Sequence, residues 1–309
     1  MVHRLLLLLH SGQRTITVTI YDRQSNIVAH KVEHFHVRSI SGNNNVDLLS
    51  LTHKKALSND EVISRKEIFD EIYLVNFWKS GFDDDKTSSN FIPSSGIGSS
   101  RKYSTLIEDA LREVLTSYNI HTILDVPCGD LNWMPYVFKE RMNISYIGGD
   151  ISQIVIDRNI RTLNSVRQTR NVSHPLWTLV NHTNNVSLVQ LDLVEASALA
   201  VNIDLLFCRH MMIHLTVTDN LKVLENIENS GVRYFMATTF LTNSGNDPIN
   251  VNTDDFRLVL GNKINLMQSP YCLRPPIKLF LDVSHDDFNS FSYMGLWDIT
   301  LKPFRRESC

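Results

Sequence analysis

Two apolar segments of the chain end abruptly in carboxylates and glycine. They read Thr122-Ile-Leu-Asp-Val-Pro-Cys-Gly-Asp130 and Tyr146-Ile-Gly-Gly-Asp150. Such runs are typical of buried parallel strands, and open α/β sheets bind their ligands in the crevice beyond the carboxyl ends of those strands. Gly129 would let the backbone approach a ligand, and Asp150 would accept hydrogen bonds from ribose hydroxyls. The two segments therefore predict a site for a nucleoside-containing cofactor.

The composition of the first turn favours a cationic cofactor. A dinucleotide-binding dehydrogenase would carry G-x-G-x-x-G here, with three glycines around a pyrophosphate. This turn has one glycine and the carboxylates of Asp125 and Asp130, which are poorly placed to hold a diphosphate. The chain also lacks the G-x-x-x-x-G-K-[ST] loop of nucleoside triphosphate sites. Two acidic groups suit the ammonium and sulfonium groups that S-adenosylmethionine carries.

A third candidate segment, Cys208-Arg-His-Met-Met-Ile-His-Leu215, follows another predicted strand directly. His210 and His214 are four residues apart and would share a face on a helical turn. Either histidine could be a general base, because the imidazole pKa lies near working pH. The pair could instead bind metal, but a third ligand is not evident, and His214 alone is better explained by packing beneath the helix. Arg209 could pair with a substrate carboxylate or phosphate, or form a structural salt bridge.

The elements that must position these residues alternate between strands and helices. The apolar patterns predict strands over 122–126, 145–149, 187–191, 204–208 and 234–239, and helices over 103–118, 133–140, 152–165 and 218–229. Two further strand-like stretches, 280–283 and 291–301, could form an antiparallel pair at the sheet edge. Alternation on this scale predicts a doubly wound, Rossmann-like α/β fold with a mostly parallel sheet and an antiparallel C-terminal edge.

The N-terminal region differs from the rest of the chain. We interpret residues 1–65 as an appendage of unknown role, partly disordered, and residues 66–309 as the domain that carries the motifs. Within the appendage, Thr15-Ile-Thr-Val-Thr-Ile20 alternates as a half-buried strand would. His30, His34 and His36 lack the spacing of a standard zinc site, so no metal site is predicted.

In this order the motifs resemble those of class I S-adenosylmethionine-dependent methyltransferases, from about residue 69 to residue 303. The chain is particularly similar to a little-characterised group with S-G-x-G-S, L-D-x-P-C-G-D, Y-I-G-x-D and C-R-D-x-x-x-H-L motifs. The matching segments are Ser95-Gly-Ile-Gly-Ser99, Leu124-Asp-Val-Pro-Cys-Gly-Asp130, Tyr146-Ile-Gly-Gly-Asp150 and Cys208-Arg-His-Met-Met-Ile-His-Leu215. One position departs, because His210 stands where the related pattern has Asp.

The resemblance implies roles around the methionine portion of the cofactor. Gly129 and Asp130 would line that portion, and Asp125 would support the turn. Ser95, Gly96 and Gly98 would form a lid over the amino-acid end of the cofactor. The alternative for the 95–99 segment is a flexible loop.

The resemblance also implies roles around the adenosine. Asp150 would bind the ribose hydroxyls, Ile151 would pack on the adenine, and Asp192 would reach the adenine amino group. Together these residues predict S-adenosylmethionine as the cofactor.

The implied function is transfer of the cofactor's methyl group to an unidentified acceptor, with a small molecule slightly favoured. His210 is the first candidate for the base and Asp130 the second, with Arg209 beside them. The alternative is a catalytically inactive protein that keeps the fold and binds the cofactor, because the His210 departure puts activity in doubt. A nicotinamide dehydrogenase is disfavoured by the missing glycines.

Composition sets limits on partners and location. The net charge of −3 gives no nucleic-acid signal, and no segment approaches the roughly 20 apolar residues of a membrane span. The run from Leu5 to Leu9 is shorter than a signal-peptide core. Cys128 and Cys208 fall at strand ends where free thiols are more plausible than a disulfide frame, so we expect a cytoplasmic protein. The sequence leaves the oligomeric state open.

Overall fold

The computed structural model describes residues 2–10, 13–21, 27–35, 64–80, 93–196, 199, 202–241, 261–285 and 290–309. The chain divides into two compact units, Met1–Val75 and Asn76–Cys309. The side chains of His30, His34 and His36, and the 41–45 tract, lie outside the described part of the chain.

The first unit contains a three-stranded antiparallel sheet and a helix. The strands are β1 (Val2–His10), β2 (Gln13–Tyr21) and β3 (Ile27–Phe35), with β2 in the centre. The alternating segment 15–20 lies inside β2. Helix α1 (Arg65–Leu74) begins after Ser64, whose side chain accepts a hydrogen bond from the Glu67 backbone N–H. The Glu67 carboxylate in turn accepts from the Ser64 backbone N–H (2.9 Å).

The second unit is built on a seven-stranded sheet. Its strands are β4 (Thr122–Asp125), β5 (Ser145–Asp150), β6 (Asn185–Gln190), β7 (Leu205–Cys208), β8 (Tyr234–Thr239), β9 (Lys278–His285) and β10 (Ser290–Asp298). Their order across the sheet is β6-β5-β4-β7-β8-β10-β9. Strand β10 pairs antiparallel with both of its neighbours, and the pairings among β4 to β8 are parallel.

Helices cover this sheet on both faces. The helices of the second unit are α2 (Phe77–Ser80), α3 (Arg101–Ser117), α4 (Gln153–Thr169), α5 (Pro175–His182) and α6 (Val217–Asn229). Because successive strand side chains point to opposite faces, Leu205 and Phe207 of β7 pack in the core beneath α3, α4 and α5. Leu206 and Cys208 pack in the core beneath α6. Burial on both faces explains the continuous apolar runs of these strands.

The sequence-based fold class is confirmed: the unit is a doubly wound, Rossmann-like α/β sandwich with an antiparallel pair at its C-terminal edge. The predicted helix over 133–140 is wrong, because only a 3₁₀ turn forms at Met134–Val137. The side chain of Arg112 donates to the backbone carbonyl oxygens of Val137 (2.9 Å) and Tyr136 (3.0 Å). Those carbonyls are therefore occupied where a longer helix would need them as acceptors.

The four cysteines divide into two free thiols and one disulfide. Cys128 and Cys208 are free and buried, as predicted. Cys272 and Cys309, which the sequence left unassigned, form a disulfide with a Cα–Cα distance of 5.5 Å. In the part of the chain that the structure describes, no helix combines the length and apolarity required to cross a membrane.

Candidate functional site

The turn after β4 is fastened to the end of β5. Gly129 has a φ of +55°, a left-handed conformation that glycine adopts without strain. Its N–H donates to Asp150 Oδ2 (3.1 Å), and its carbonyl oxygen accepts from Asn159 Nδ2 on α4 (2.7 Å). The second carboxylate oxygen of Asp150 accepts from the Ser152 N–H (2.9 Å). Asp150 is buried and joins the β4 turn to the beginning of α4.

Asp125 ends β4 beneath this turn and is also buried. It accepts a hydrogen bond of 2.6 Å from the Tyr146 hydroxyl on β5. Burial raises the pKa of Asp125 to about 8, against the hydrogen bond from Tyr146 and with the help of the nearby Asp150 charge. Asp125 therefore carries little negative charge at neutral pH in this state.

The loop over residues 94–100, which contains the predicted lid, is fastened to Asp130. Oδ2 of Asp130 accepts from Ser94 Oγ (3.0 Å) and from the Ser95 N–H (3.2 Å), and the Asp130 N–H donates to Ser95 Oγ (2.8 Å). Farther along, Asn132 Nδ2 donates to the Ser99 carbonyl oxygen (2.8 Å). The structure thus brings together the serine–glycine loop and the β4 turn, two segments that are far apart in sequence.

Arg209, just after β7, is held in a buried ion pair. Its Nε lies 3.0 Å from both carboxylate oxygens of Asp282 on β9, and its Nη2 lies 2.9 Å from Oδ1. The remaining donors reach the carbonyl oxygens of Gly98 (2.9 Å) and Tyr103 (3.2 Å). The side chain of Arg209 is 5% exposed and that of Asp282 is 0% exposed. The sequence left Arg209 either to bind a substrate anion or to form a structural salt bridge, and the structure contains the salt bridge.

His210 occupies the next position and faces the same carboxylate. Its Nε2 lies 3.2 Å from Asp282 Oδ2, and its side chain is 27% exposed. The backbone has a left-handed φ of +58°, and the His210 N–H donates to Thr238 Oγ1 (2.9 Å). Burial and the Arg209 charge lower the pKa of His210, although Asp282 acts in the opposite direction. The imidazole is therefore neutral at pH 7 and able to accept a proton.

Asp282 is the residue of this site that the sequence did not reveal. Burial alone would raise its pKa, but Arg209 and the hydrogen bond with His210 outweigh that effect and hold the pKa below its ordinary value. The residue therefore stays ionised at neutral pH. It lies in the stretch Phe280-Leu-Asp-Val283, whose apolar residues predict an ordinary strand. The one available signal is an Asp within an otherwise apolar run, because a buried carboxylate usually has a charged partner.

The remaining predicted residues lie apart from this cluster. Ile151 follows Asp150 at the end of β5, and its carbonyl oxygen accepts from Gln190 Nε2 (3.2 Å). Asp192 lies just beyond β6, and its Oδ1 accepts from the Val194 N–H (2.9 Å). His214 contacts Trp78, with ring centroids 5.4 Å apart. The packing role expected for His214 fits this contact.

A cavity of about 440 Å³ opens beside Asp130. Its wall comes from the 94–100 loop, the β4 turn, α4 and the beginning of α5, and it includes Ser94, Asp130, Asn132, Arg158, Asn159 and His174. Asp150, Ile151 and Asp192 do not line it. The cavity has the size of a small-molecule pocket.

Known proteins resemble the chain in structure only. No protein-family model matches it, and no curated protein matches it. The methyltransferase domain of bacterial CtHen1 is 16% identical over 62% of this chain and 96% of that one, with a TM-score of 0.41. Magnesium protoporphyrin IX methyltransferase (ChlM) from Synechocystis PCC 6803, solved with bound SAM, is 11% identical over 77% and 98%, with a TM-score of 0.46. PigF, solved with SAH, is 13% identical over 81% and 69%, with a TM-score of 0.46.

The strand order defines the class of fold. Five neighbouring strands, β6-β5-β4-β7-β8, run parallel, and β10 is inserted antiparallel between β8 and the edge strand β9. This mostly parallel sheet with an antiparallel C-terminal edge is the arrangement that the alternation of strand and helix patterns predicts. The second unit therefore has a doubly wound, Rossmann-like α/β fold.

Proposed function

We propose that this protein transfers a methyl group from S-adenosylmethionine to a small-molecule acceptor. The observation that carries the proposal is the pair of carboxylates at the ends of β4 and β5, Asp130 and Asp150, around a single-glycine turn. Carboxylates attract the ammonium and sulfonium groups of this cofactor and would repel a diphosphate. A crevice at the carboxyl ends of parallel strands is also where such folds bind nucleotides.

Different residues of the chain would bind different parts of the cofactor. Gly129 and Asp130 would line its methionine portion, and Asp130 would exchange its present contacts with Ser94 and Ser95 for that role. The lid would be formed by Ser95, Gly96 and Gly98. Asp150 would bind the ribose hydroxyls, Ile151 would pack on the adenine, and Asp192 would bind its amino group.

When bound, S-adenosylmethionine supplies an electrophilic methyl group on a sulfonium centre. The chain must then align the acceptor for in-line attack and take up a proton wherever the nucleophile has one to lose. His210 is suited to that second task, because its imidazole is partly exposed and its pKa is lowered by burial and by Arg209. A partly exposed imidazole beside a buried carboxylate supports this role over the alternative of an inactive binding protein.

Calorimetric titration of the intact protein with S-adenosylmethionine tests the proposal. We expect saturable binding with a dissociation constant on the order of micromolar, about −8 kcal/mol. Asp150→Ala should weaken it by about tenfold to a hundredfold, because a hydrogen bond to a charged group contributes about 1.5–3 kcal/mol.

The matched control is Asp109→Ala on α3, where the carboxylate side chain is 64% exposed. This variant should bind as the parent does. Far-UV circular dichroism checks that Asp150→Ala keeps the fold. Absence of binding to the intact protein would overturn the proposal, whatever the variants do.

A further inference from the structure

The two ring nitrogens of His210 have different surroundings. Nε2 faces Asp282 Oδ2 at 3.2 Å. Nδ1 lies against Gly98, where a side-chain Cβ would come within 3.2 Å of it. An ionised carboxylate can only accept hydrogen bonds, so Nε2 must carry the hydrogen. Nδ1 is then the basic nitrogen of a neutral imidazole.

The orientation of the ring is fixed from several sides. The left-handed backbone of His210 is secured by its N–H bond to Thr238 Oγ1 (2.9 Å), and Thr238 is buried on β8. Asp282 is itself held by the two hydrogen bonds from Arg209 Nε (3.0 Å each). The carboxylate that fixes the imidazole therefore cannot turn away without breaking a buried ion pair.

We propose that Asp282 is a positioning residue that holds His210 in the Nε2-protonated tautomer and leaves Nδ1 to accept the proton of the acceptor's nucleophile. This role rests on the proposed methyl transfer. The nucleophile forms a bond to the methyl carbon as the carbon–sulfur bond breaks, which leaves a neutral thioether. The proton of the nucleophile moves to Nδ1 of His210. Asp282 balances the positive charge on the resulting imidazolium.

The charged groups facing His210 give the direction of the pH dependence. Arg209 disfavours the imidazolium, and Asp282 favours it. Thr238 and Gly98, which contact the ring or its backbone from β8 and from the 94–100 loop, carry no charge. Removing the charge of Asp282 should therefore move the titration of His210 to lower pH.

Nitrogen-15 NMR of the histidine rings in the intact, cofactor-free protein tests this role, with His210→Gln assigning the signals. We expect a neutral His210 that is protonated at Nε2 and a titration below that of an exposed histidine. In Asp282→Asn the single tautomer should be lost and the titration should shift downward. Asp109→Asn, at an exposed carboxylate on α3, should leave both unchanged.

The outcomes separate this inference from the proposed function. An Nδ1-protonated ring in the unaltered protein would overturn the positioning role even if S-adenosylmethionine binds, and this result does not depend on the folding of Asp282→Asn. A purely structural Asp282 would lower the stability of Asp282→Asn without moving the tautomer or the titration of His210, and that result would also overturn it. Failure of the calorimetric titration would instead overturn the proposed function.

Discussion

At the scale of single residues, Gly98 and Arg209 connect the 94–100 loop to His210. The carbonyl oxygen of Gly98 accepts from Arg209 Nη1 at 2.9 Å. A Cβ at Gly98 would lie 3.2 Å from Nδ1 and 3.3 Å from Cε1 of His210. Glycine is thus favoured here by close approach rather than by backbone conformation, because a Cβ would force the imidazole to shift. The position of the loop and the position of the imidazole therefore depend on each other.

Gly98→Ala should lower the free energy of unfolding by about 1–3 kcal/mol, the usual cost of overpacking. The cause would be the contact between the new methyl group and the His210 ring. Denaturant unfolding measures the loss, and a double-mutant cycle isolates it. In a His210→Ala background, where the ring is gone, Gly98→Ala should cost much less. An equal cost in both backgrounds would show that the imidazole is not what excludes a side chain.

The sequence predicts the site residues unevenly. Asp125 and Asp150 could be grouped because they end neighbouring parallel strands, and such ends meet at one edge of a sheet. The partnership of Arg209 with Asp282 could not be predicted, because it depends on β9 returning to the edge of the sheet far along the chain. Two residues that are 73 positions apart leave no local pattern in the sequence that would predict their contact.

At the scale of elements, the prediction succeeds where the periodicity is strong. The helix expected over 152–165 is observed as α4 (Gln153–Thr169), and the helix expected over 218–229 is observed as α6 (Val217–Asn229). Helix α6 begins at Thr216, whose side chain accepts from the Asp219 N–H (3.0 Å). Helix α5 was missed, because its N-cap is His174, which accepts through Nδ1 in place of the usual hydroxyl or carboxylate.

The Cys272–Cys309 disulfide encloses β9 and β10, the pair of strands that brings Asp282 to the site. Cys309→Ser should lower the free energy of unfolding by about 2–4 kcal/mol, because the unfolded chain is no longer constrained by a long loop. Denaturant unfolding with and without reductant measures this. Reductant should lower the free energy of unfolding of the parent and leave that of Cys309→Ser unchanged.

A count of free thiols under denaturing, non-reducing conditions checks the disulfide directly. Two reactive thiols, those of Cys128 and Cys208, are expected. Four would contradict the pairing of Cys272 with Cys309. An oxidised pair in the protein as isolated from cells would also count against the reducing cytoplasm that the sequence suggests.

At the scale of the whole molecule, the second unit has a hydrophobic core on each face of its sheet. The hydrophobic cluster on one face of the sheet extends from Ile107 to Leu296, and the cluster on the other face extends from Leu124 to Phe304. Among the residues whose burial the structure describes, every member of both clusters belongs to Asn76–Cys309. Because burial of apolar area is the main stabilising contribution to folding, the core of the second unit should form without the first.

A fragment comprising Asn76–Cys309 should therefore fold and bind S-adenosylmethionine as the whole chain does. The dissociation constants from calorimetry should agree within about twofold, or roughly 0.4 kcal/mol. A longer fragment over 66–309, which adds most of α1, tests the boundary predicted from the sequence. Equal binding and equal unfolding of the two fragments would place the boundary at residue 76. If only the longer fragment folds, α1 belongs to the cofactor-binding domain, and the boundary near residue 66 is the correct one.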